Sequence, residues 1–92
     1  MTFYVYLIGS KVKKKTISYV GYTNNLKKRI NLHNSSKGAK FTRGNKWKLI
    51  YYKIYENKID AMKNEYKLKK NYKLRNKIKE LFINWKLQYY YH

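Results

Sequence analysis

The chain has 92 residues without cysteine or proline, and its 23 lysine and arginine residues against four acidic ones give a formal net charge of +19. This length predicts one domain over residues 1–92. The absence of cysteine excludes disulfides, thiolate zinc sites and cysteine nucleophiles. No apolar run approaches the roughly 20 residues of a membrane helix, and residues 1–22 lack the pattern of a signal peptide. We therefore expect an intracellular protein, cytoplasmic or nucleoid-associated.

The positive charge predicts a polyanionic partner, and nucleic acid is favoured over a membrane surface because an interfacial helix needs a wide apolar face opposite its lysines. Lysine outnumbers arginine 20 to 3, which an A/T-rich coding sequence partly explains. Such a bias does not explain the shortage of acidic residues, because their codons are also fairly A/T-rich. The net charge therefore remains a functional signal.

The first 21 residues have the composition of a β-hairpin. Residues 3–8 are aromatic and β-branched without a charge and run into Gly9-Ser10, which is typical of a strand that ends at turn-forming residues. Residues 11–15 form a charged connection, and residues 16–20 return to β-type composition before Gly21. We expect two paired strands joined by a basic tip.

A helix is predicted next. Thr23 or Asn24 is a candidate cap for a helix that begins at residue 25. Leu26, Ile30 and His33 follow at i, i+4 and i+7, which places them along one stripe of that helix. Arg29 lies one position before this stripe, near its edge.

A loop, a third strand and two further helices complete the chain. Residues 34–45 are typical of a loop and residues 47–55 of a strand, whereas residues 57–70 favour a helix with two apolar sets. These sets are Ile59, Met62 and Tyr66, and Ala61, Leu68 and Tyr72. The last helix carries a stripe of Leu74, Ile78, Leu81, Phe82 and Trp85. The order β-β-α-β-α-α predicts an α+β fold.

Carboxylates are scarce, which argues against a two-metal nuclease site with several clustered acids. The four are Glu56, Asp60, Glu65 and Glu80. Glu56 and Asp60 suit the start of a helix, and Glu80 lies among lysines. Glu65 is mid-helix on the side of two apolar residues, where it can hold one Mg²⁺-type cation together with waters. The alternative is an i,i+4 salt bridge to Lys69.

Histidine and tyrosine each have two interpretations. His33 and His92 are too few for a histidine zinc site without cysteine, and a histidine on a helix stripe more often packs than catalyses. Tyr6 and Tyr19 lie on the two predicted hairpin strands and can present two phenols on one face. Among 12 tyrosines, filling of the core is the alternative.

Several segments in the right order resemble the GIY-YIG nuclease superfamily. Tyr4-Val5-Tyr6 stands where that family has its first tripeptide and Tyr19-Val20-Gly21 where it has its second. The helix over residues 25–34, the loop over residues 37–44 and the helical Glu65 resemble its small single-domain branch. That branch in turn resembles the nuclease domain of the eukaryotic structure-selective Holliday-junction endonuclease.

This resemblance implies a small three-stranded antiparallel sheet flanked by helices and a metal-dependent DNA endonuclease, with structure-selective cleavage in DNA repair or recombination as the role suggested by the related eukaryotic enzyme. Glu65 would hold a single Mg²⁺ or Mn²⁺, and Tyr6 would accept the proton of the attacking water. Arg29 would stabilise charge on the phosphate, Tyr19 would orient the phosphate or the water, and His33 would assist base or leaving-group chemistry. By the same resemblance, Gly21 would permit close backbone packing.

DNA is the expected partner, and no small-molecule cofactor is expected; a scaffold protein or a homodimer stays open. Five basic residues are candidates for contacts with the DNA backbone around the cleft: Lys27, Lys37, Lys40, Arg43 and Lys46. One alternative is a non-catalytic basic nucleic-acid-binding protein derived from such a nuclease. Another is an interaction module that docks the helix over residues 74–85 on a partner.

Overall fold

The chain forms one antiparallel sheet with helices on both of its faces. The structure, a computed structural model, describes residues 2–91, with side chains described through residue 82. Its elements are β1 (Phe3–Val12), β2 (Lys15–Thr23), α1 (Leu26–Asn34), β3 (Lys48–Tyr55), α2 (Lys58–Lys70) and α3 (Tyr72–Tyr91), with a short 3-10 turn at Lys40–Thr42. The strand order is β2-β1-β3. The predicted α+β fold and element order are confirmed.

The hairpin is longer than its composition predicted. Gly9-Ser10 does not end β1, because both residues continue the ladder opposite Ser18 and Ile17. Only Lys13 and Lys14 lie outside the paired strands, and Lys13 has a φ of 58°. Backbone pairing outweighs the poor strand propensity of lysine at this tip.

The alternation of side chains along β1 divides the interior into two layers. Val5 and Leu7 face α2, where they pack with Val20, Ala61 and Leu68. Tyr6 and Ile8 face the opposite way and pack with Trp47, with Leu26 and Ile30 of α1 against them. The central strand is therefore covered on both faces.

Helix α1 begins one residue later than predicted. The cap is Asn25 rather than Thr23 or Asn24: the Asn25 Oδ1 accepts from the Lys28 N–H at 3.1 Å. The Asn25 N–H in turn donates to the Thr23 hydroxyl at 3.1 Å. The predicted stripe of Leu26, Ile30 and His33 does face the sheet.

Asn71 separates the last two helices. Its N–H donates to the Leu68 carbonyl at the end of α2, and its Oδ1 accepts from the Leu74 N–H at the start of α3. Ile78 packs on the core, whereas Leu74 is 40% and Leu81 60% exposed. The predicted α3 stripe is thus only partly buried, because a few residues of the helix reach the sheet. Trp85 lies outside the described side chains.

The two apolar sets predicted for α2 differ in burial. Ala61 and Leu68 are buried, but Tyr72, predicted on the same face, is 64% exposed because α3 starts in a new direction after Asn71. Ile59, Met62 and Tyr66 are also exposed. No helix within the described residues has the length and apolar character to cross a membrane.

Candidate active site

An open pocket of about 460 Å³ spans the free edge of β2. Its walls come from the β1–β2 hairpin, the first half of α1 with the residues before it, and α2. Ten residues line it: Phe3, Tyr6, Tyr19, Gly21, Tyr22, Thr23, Asn24, Arg29, Lys58 and Glu65. The fold therefore brings together four residues predicted to be catalytic, which are up to 59 positions apart in sequence, and the predicted structural residue Gly21. The four are Tyr6, Tyr19, Arg29 and Glu65.

Strand register places Tyr6 over Gly21. The two residues are directly opposite in the β1–β2 ladder, so their side chains point to the same face. A methyl group at Gly21 would overlap the Tyr6 hydroxyl. The missing side chain is what lets the fully buried tyrosine ring lie across the neighbouring strand with its hydroxyl at the pocket.

Tyr6 is the start of a buried hydrogen-bonded chain. Its hydroxyl is 2.8 Å from the Nε2 of His33, and the Nδ1 of His33 is 2.9 Å from the Thr42 hydroxyl. The Thr42 hydroxyl donates to the Ala39 carbonyl at 2.8 Å. On the pocket side, the Arg29 Nε donates to the Tyr6 hydroxyl at 3.4 Å.

These contacts determine which atom donates and which accepts in each of these hydrogen bonds. Because the Thr42 hydroxyl donates its one proton to Ala39, it accepts from His33, whose proton must then be on Nδ1. The Nε2 lone pair is left to accept the Tyr6 proton. Neutral His33 can therefore accept the proton of the Tyr6 hydroxyl.

Burial supports this protonation state. It lowers the pKa of the His33 imidazole below its ordinary value of 6.5, and the nearby Arg29 charge lowers it further. Burial also raises the pKa of the Tyr6 phenol above 10.0, an effect that the Arg29 hydrogen bond and charge oppose. Both groups are therefore neutral near pH 7.

The loop after α1 holds His33 in place. Trp47 anchors this loop: its N–H donates to the Asn34 side chain, its carbonyl accepts from the same side chain at 3.0 Å, and its indole Nε1 donates to the Thr42 carbonyl at 2.8 Å. Gly38 lies against the imidazole, where a methyl group would overlap Nδ1 of His33. His33 and Thr42 are fully buried as a result.

Glu65 is the carboxylate of the pocket and also an ion-pair partner. Its side chain is 18% exposed, and Oε1 is 3.4 Å from the Nζ of Lys69. The predicted i,i+4 salt bridge is therefore present, and the carboxylate also lines the pocket, where its role as a cation ligand stays a prediction. Because Lys69 is 49% exposed, it can turn into solvent and release the carboxylate.

The donor set fits a single hard cation. Among the side chains that the structure describes, no group of three or more His, Asp or Glu residues is placed to share a metal ion. Mg²⁺ is commonly held by one or two carboxylates while it keeps several waters and binds substrate phosphate. Glu65 in an open pocket offers one carboxylate and the space for those waters.

Tyr19 lies between the buried His33 and the exposed Phe41. Its ring is 5.2 Å from that of His33, and on its other side it stacks on Phe41 with centroids 6.1 Å apart and planes 20° apart. Phe41 is 57% exposed. The half-buried Tyr19 lines the pocket, so its hydroxyl is available to a bound phosphate or water.

The predicted DNA-contacting residues lie outside the walls of this pocket. Lys27 and Lys37 line a second pocket of about 400 Å³ on the outer side of α1, together with Lys28. Lys40, Arg43 and Lys46 are exposed on the loop that follows. The lysine that lines the candidate active-site pocket is instead Lys58.

Sequence inspection missed Lys58, Thr42 and Gly38. Thr42 and Gly38 lie in the segment that was matched only as a loop, and nothing in its composition indicated contact with His33. Lys58 is one of 20 lysines, so its position at the pocket has no signature in the sequence.

Comparison with known proteins decides the family. The model of the GIY-YIG catalytic domain matches residues 2–79. The chain belongs to the GIY-YIG family. It is 48% identical over 68 residues to a UPF0213 protein of Clostridium perfringens, which covers 73% of this chain and 70% of that protein. The UPF0213 protein YazA of Bacillus subtilis is 45% identical over 69 residues, 74% of this chain and 67% of the relative.

A solved relative extends the likeness to the fold. The solution NMR structure of a UPF0213 protein from Bacillus halodurans matches with a TM-score of 0.50 and 34% identity, covering 88% of this chain and 85% of that one. The family supports a nuclease-type domain for this chain. The names of its UPF0213 relatives do not state an activity.

Proposed function

We propose that this protein is a divalent-metal-dependent endonuclease that hydrolyses DNA phosphodiester bonds. The observation that carries the proposal is the convergence of a phenol, a guanidinium and a carboxylate on one pocket, with the phenol hydrogen-bonded to a neutral imidazole. Hydrolysis of a phosphodiester needs a base, charge stabilisation and a cation in one place. The pocket of this GIY-YIG domain supplies residues for each.

Tyr6 and His33 act together as the base. A phenol with a raised pKa is a poor proton acceptor by itself. The 2.8 Å hydrogen bond gives it a route: the Tyr6 hydroxyl takes a proton from the attacking water while its own proton moves to Nε2 of His33. Thr42 stabilises the imidazolium that results, because it accepts from Nδ1. The hydroxide that remains bonds to phosphorus as the P–O bond to the leaving oxygen breaks, and the leaving oxygen is protonated from solvent.

Arg29 and a cation held by Glu65 would stabilise the negative charge on the phosphate. The Arg29 side chain lines the pocket, and its guanidinium offers a planar set of donors to phosphate oxygens. Glu65 would hold the Mg²⁺ or Mn²⁺, which when bound neutralises charge on the phosphate. Lys58 adds a second cation at the pocket wall. Structure-selective cleavage in DNA repair or recombination belongs to the same proposal and rests on the family resemblance.

The test is metal-dependent cleavage by the wild type and by two matched carboxamide variants. Supercoiled plasmid and synthetic branched DNA are incubated with Mg²⁺ or Mn²⁺, and binding is measured separately by fluorescence anisotropy. We expect Glu65→Gln to slow cleavage by about 10²- to 10⁴-fold, since several kcal/mol of charge stabilisation is lost, and to keep DNA affinity. Glu80→Gln, at an exposed acid of α3, is expected to match the wild type.

Two results would overturn this assignment. Full activity in Glu65→Gln would leave the carboxylate with its salt bridge only. DNA binding without cleavage by the wild type on every substrate would favour the non-catalytic basic nucleic-acid-binding protein. A second pair of variants, Arg29→Lys and the exposed Arg43→Lys, tests the role of the Arg29 guanidinium. We expect only Arg29→Lys to slow cleavage, because a point charge does not replace a planar set of donors.

A further inference from the structure

Helix α2 has an exposed apolar stripe that the core does not use. Ile59, Met62 and Tyr66 recur at i, i+3 and i+7, so they form one line along the helix. They are 66%, 46% and 57% exposed, although Ala61 and Leu68 of the same helix are buried. Three large apolar side chains in one line on a solvent-facing helix indicate a binding surface.

Lysines border this stripe on both sides. At 100° per residue, Lys63, Lys67 and Lys70 follow one side of the line and Lys58 and Lys69 the other. All five are exposed. The Lys70 Nζ lies 4.4 Å from the centre of the Tyr66 ring. The surface is an apolar line between two cationic rows, which suits a ligand that is apolar in its middle and anionic at its edges.

The stripe adjoins the active-site pocket. Lys58 and Glu65 both line that pocket, and they are the sequence neighbours of Ile59 and Tyr66. From Ile59 to Tyr66 the helix rises about 10 Å at 1.5 Å per residue. A nucleic-acid strand that leaves the pocket along α2 would meet this stripe, and at about 3.4 Å per stacked nucleotide the stripe spans roughly two or three nucleotides.

We propose that the α2 stripe binds unpaired nucleotides that continue from the cleaved phosphodiester, with bases on Tyr66 and Met62 and phosphates on the flanking lysines. This inference rests on the proposed function and specifies its substrate as DNA with a single-stranded segment. Unpaired bases stack on exposed aromatic side chains while a basic groove follows the backbone. A duplex presents mainly phosphates and sugars to such a helix, so the apolar line would face charged, hydrated groups there.

The experiment compares binding of tailed and blunt DNA by variants of the full chain. The background is Glu65→Gln without added metal, so that cleavage does not interfere. The probes are a blunt duplex and the same duplex with a single-stranded 3′ or 5′ tail carrying 2-aminopurine. Tyr66→Ala is expected to weaken binding of the better tailed probe by roughly five- to a hundredfold, the range for one stacked base. It should leave the blunt duplex unchanged.

Controls separate stacking from charge and from misfolding. Tyr66→Phe keeps the ring and should bind tails as the parent does, with the same quenching of 2-aminopurine fluorescence. Leu81→Ala removes a 60% exposed apolar side chain from α3 and should have no effect. Because Tyr66 is exposed, its substitution leaves the core intact.

Three outcomes would overturn the stripe as a single-strand site. One is an equal affinity for tailed DNA in Tyr66→Ala and the parent, and another is an equal loss on tailed and blunt probes. The third is a loss of binding to polyglutamate but not to tailed DNA, which would make the stripe a docking surface for an acidic protein. Each is distinguishable from failure of the proposed function, which shows as absent cleavage by the wild type.

Discussion

The two faces of the sheet are built on different principles. The face under α2 buries a wholly apolar cluster that includes Val5, Leu7 and Leu68. The face under α1 buries Tyr6 together with His33 and Thr42, two polar side chains that are fully inaccessible and hydrogen-bonded to each other. Among the described residues, Ser10 is the third buried polar side chain, and its strand position places it on the α1 side as well.

The α2 face contributes mainly to stability, whereas the polar network of the α1 face is suited to chemistry. Apolar burial contributes about 25 cal/mol per Å², whereas a buried polar chain gives little net stabilisation and is costly if any partner is lost. A chain of this length has a small core and a small stability margin. It nevertheless buries a polar network of Tyr6, His33 and Thr42 that ends at the candidate active-site pocket, as a catalytic role for this network predicts.

The largest effect on folding should come from the apolar face. Leu7→Ala removes a fully buried side chain from the central strand and is expected to lower the free energy of unfolding by about 2–5 kcal/mol. Urea denaturation followed by circular dichroism measures this. A loss below about 1 kcal/mol would mean that the α2 face is not the main source of stability.

The largest effect on cleavage with the fold retained should come from the polar face. Tyr6→Phe keeps the ring and removes the hydroxyl, so we expect single-turnover cleavage to slow by about 10²-fold or more. Because the buried Nε2 of His33 then lacks its donor, we expect stability to fall by about 1–3 kcal/mol, which leaves the fold intact. Tyr19→Phe is expected to slow cleavage in the same way.

Tyr4→Phe and Tyr52→Phe are the controls for this measurement. Their rings contact each other, 6.0 Å apart, and neither lines the pocket. Equal rates in all four variants would show that the tyrosines only fill space.

A pair of strand glycines tests the same contrast through packing. Gly21→Ala would drive a methyl group into the Tyr6 ring, and we expect a loss of about 1–3 kcal/mol in stability together with slower cleavage. Gly9→Ala, on the α2 side of β1, meets its nearest atom at 3.4 Å and should be tolerated better. Denaturation and cleavage assays on both variants give the comparison, and a Gly21→Ala protein as active as Gly9→Ala would contradict it.

The smallest expected effect is a pH dependence that belongs to the α1 face alone. Because the folded-state pKa of His33 is below 6.5, the unfolded chain binds a proton first as the pH falls. Stability is therefore fully present above about pH 6.5 and decreases below it, by at most about 1.4 kcal/mol per pH unit for one proton.

Denaturation between about pH 7.5 and 5.5 measures this slope, since carboxylates titrate lower. His33→Gln removes the titrating group and should flatten the curve. An unchanged acid slope in His33→Gln would assign the effect to other groups.

Sequence patterns located the elements of the fold because their signals are local. The stripe of Leu26, Ile30 and His33 at helical spacing predicted the inward face of α1 correctly, and turn and cap residues came within one or two positions of the helix ends. The basic tip predicted over residues 11–15 does contain the turn, but β1 was predicted too short, since Gly9-Ser10 is a frequent turn signal that pairing with β2 overrides. The exposure of Tyr72 was also missed, because it depends on the change of direction at Asn71.

The amino-acid sequence by itself determined the fold class, the family through its ordered tripeptides, and a strongly cationic chain. Only the tertiary structure decided that Tyr6 is buried and at the pocket at once, because that depends on a glycine 15 residues away in the paired strand. It also decided that Thr42 orients His33 and that Lys58, among 20 lysines, lies in the pocket wall. The physical reason is separation in sequence. Helical and strand periodicity relate neighbouring residues, whereas these contacts join segments that are far apart in sequence and meet only in the folded protein.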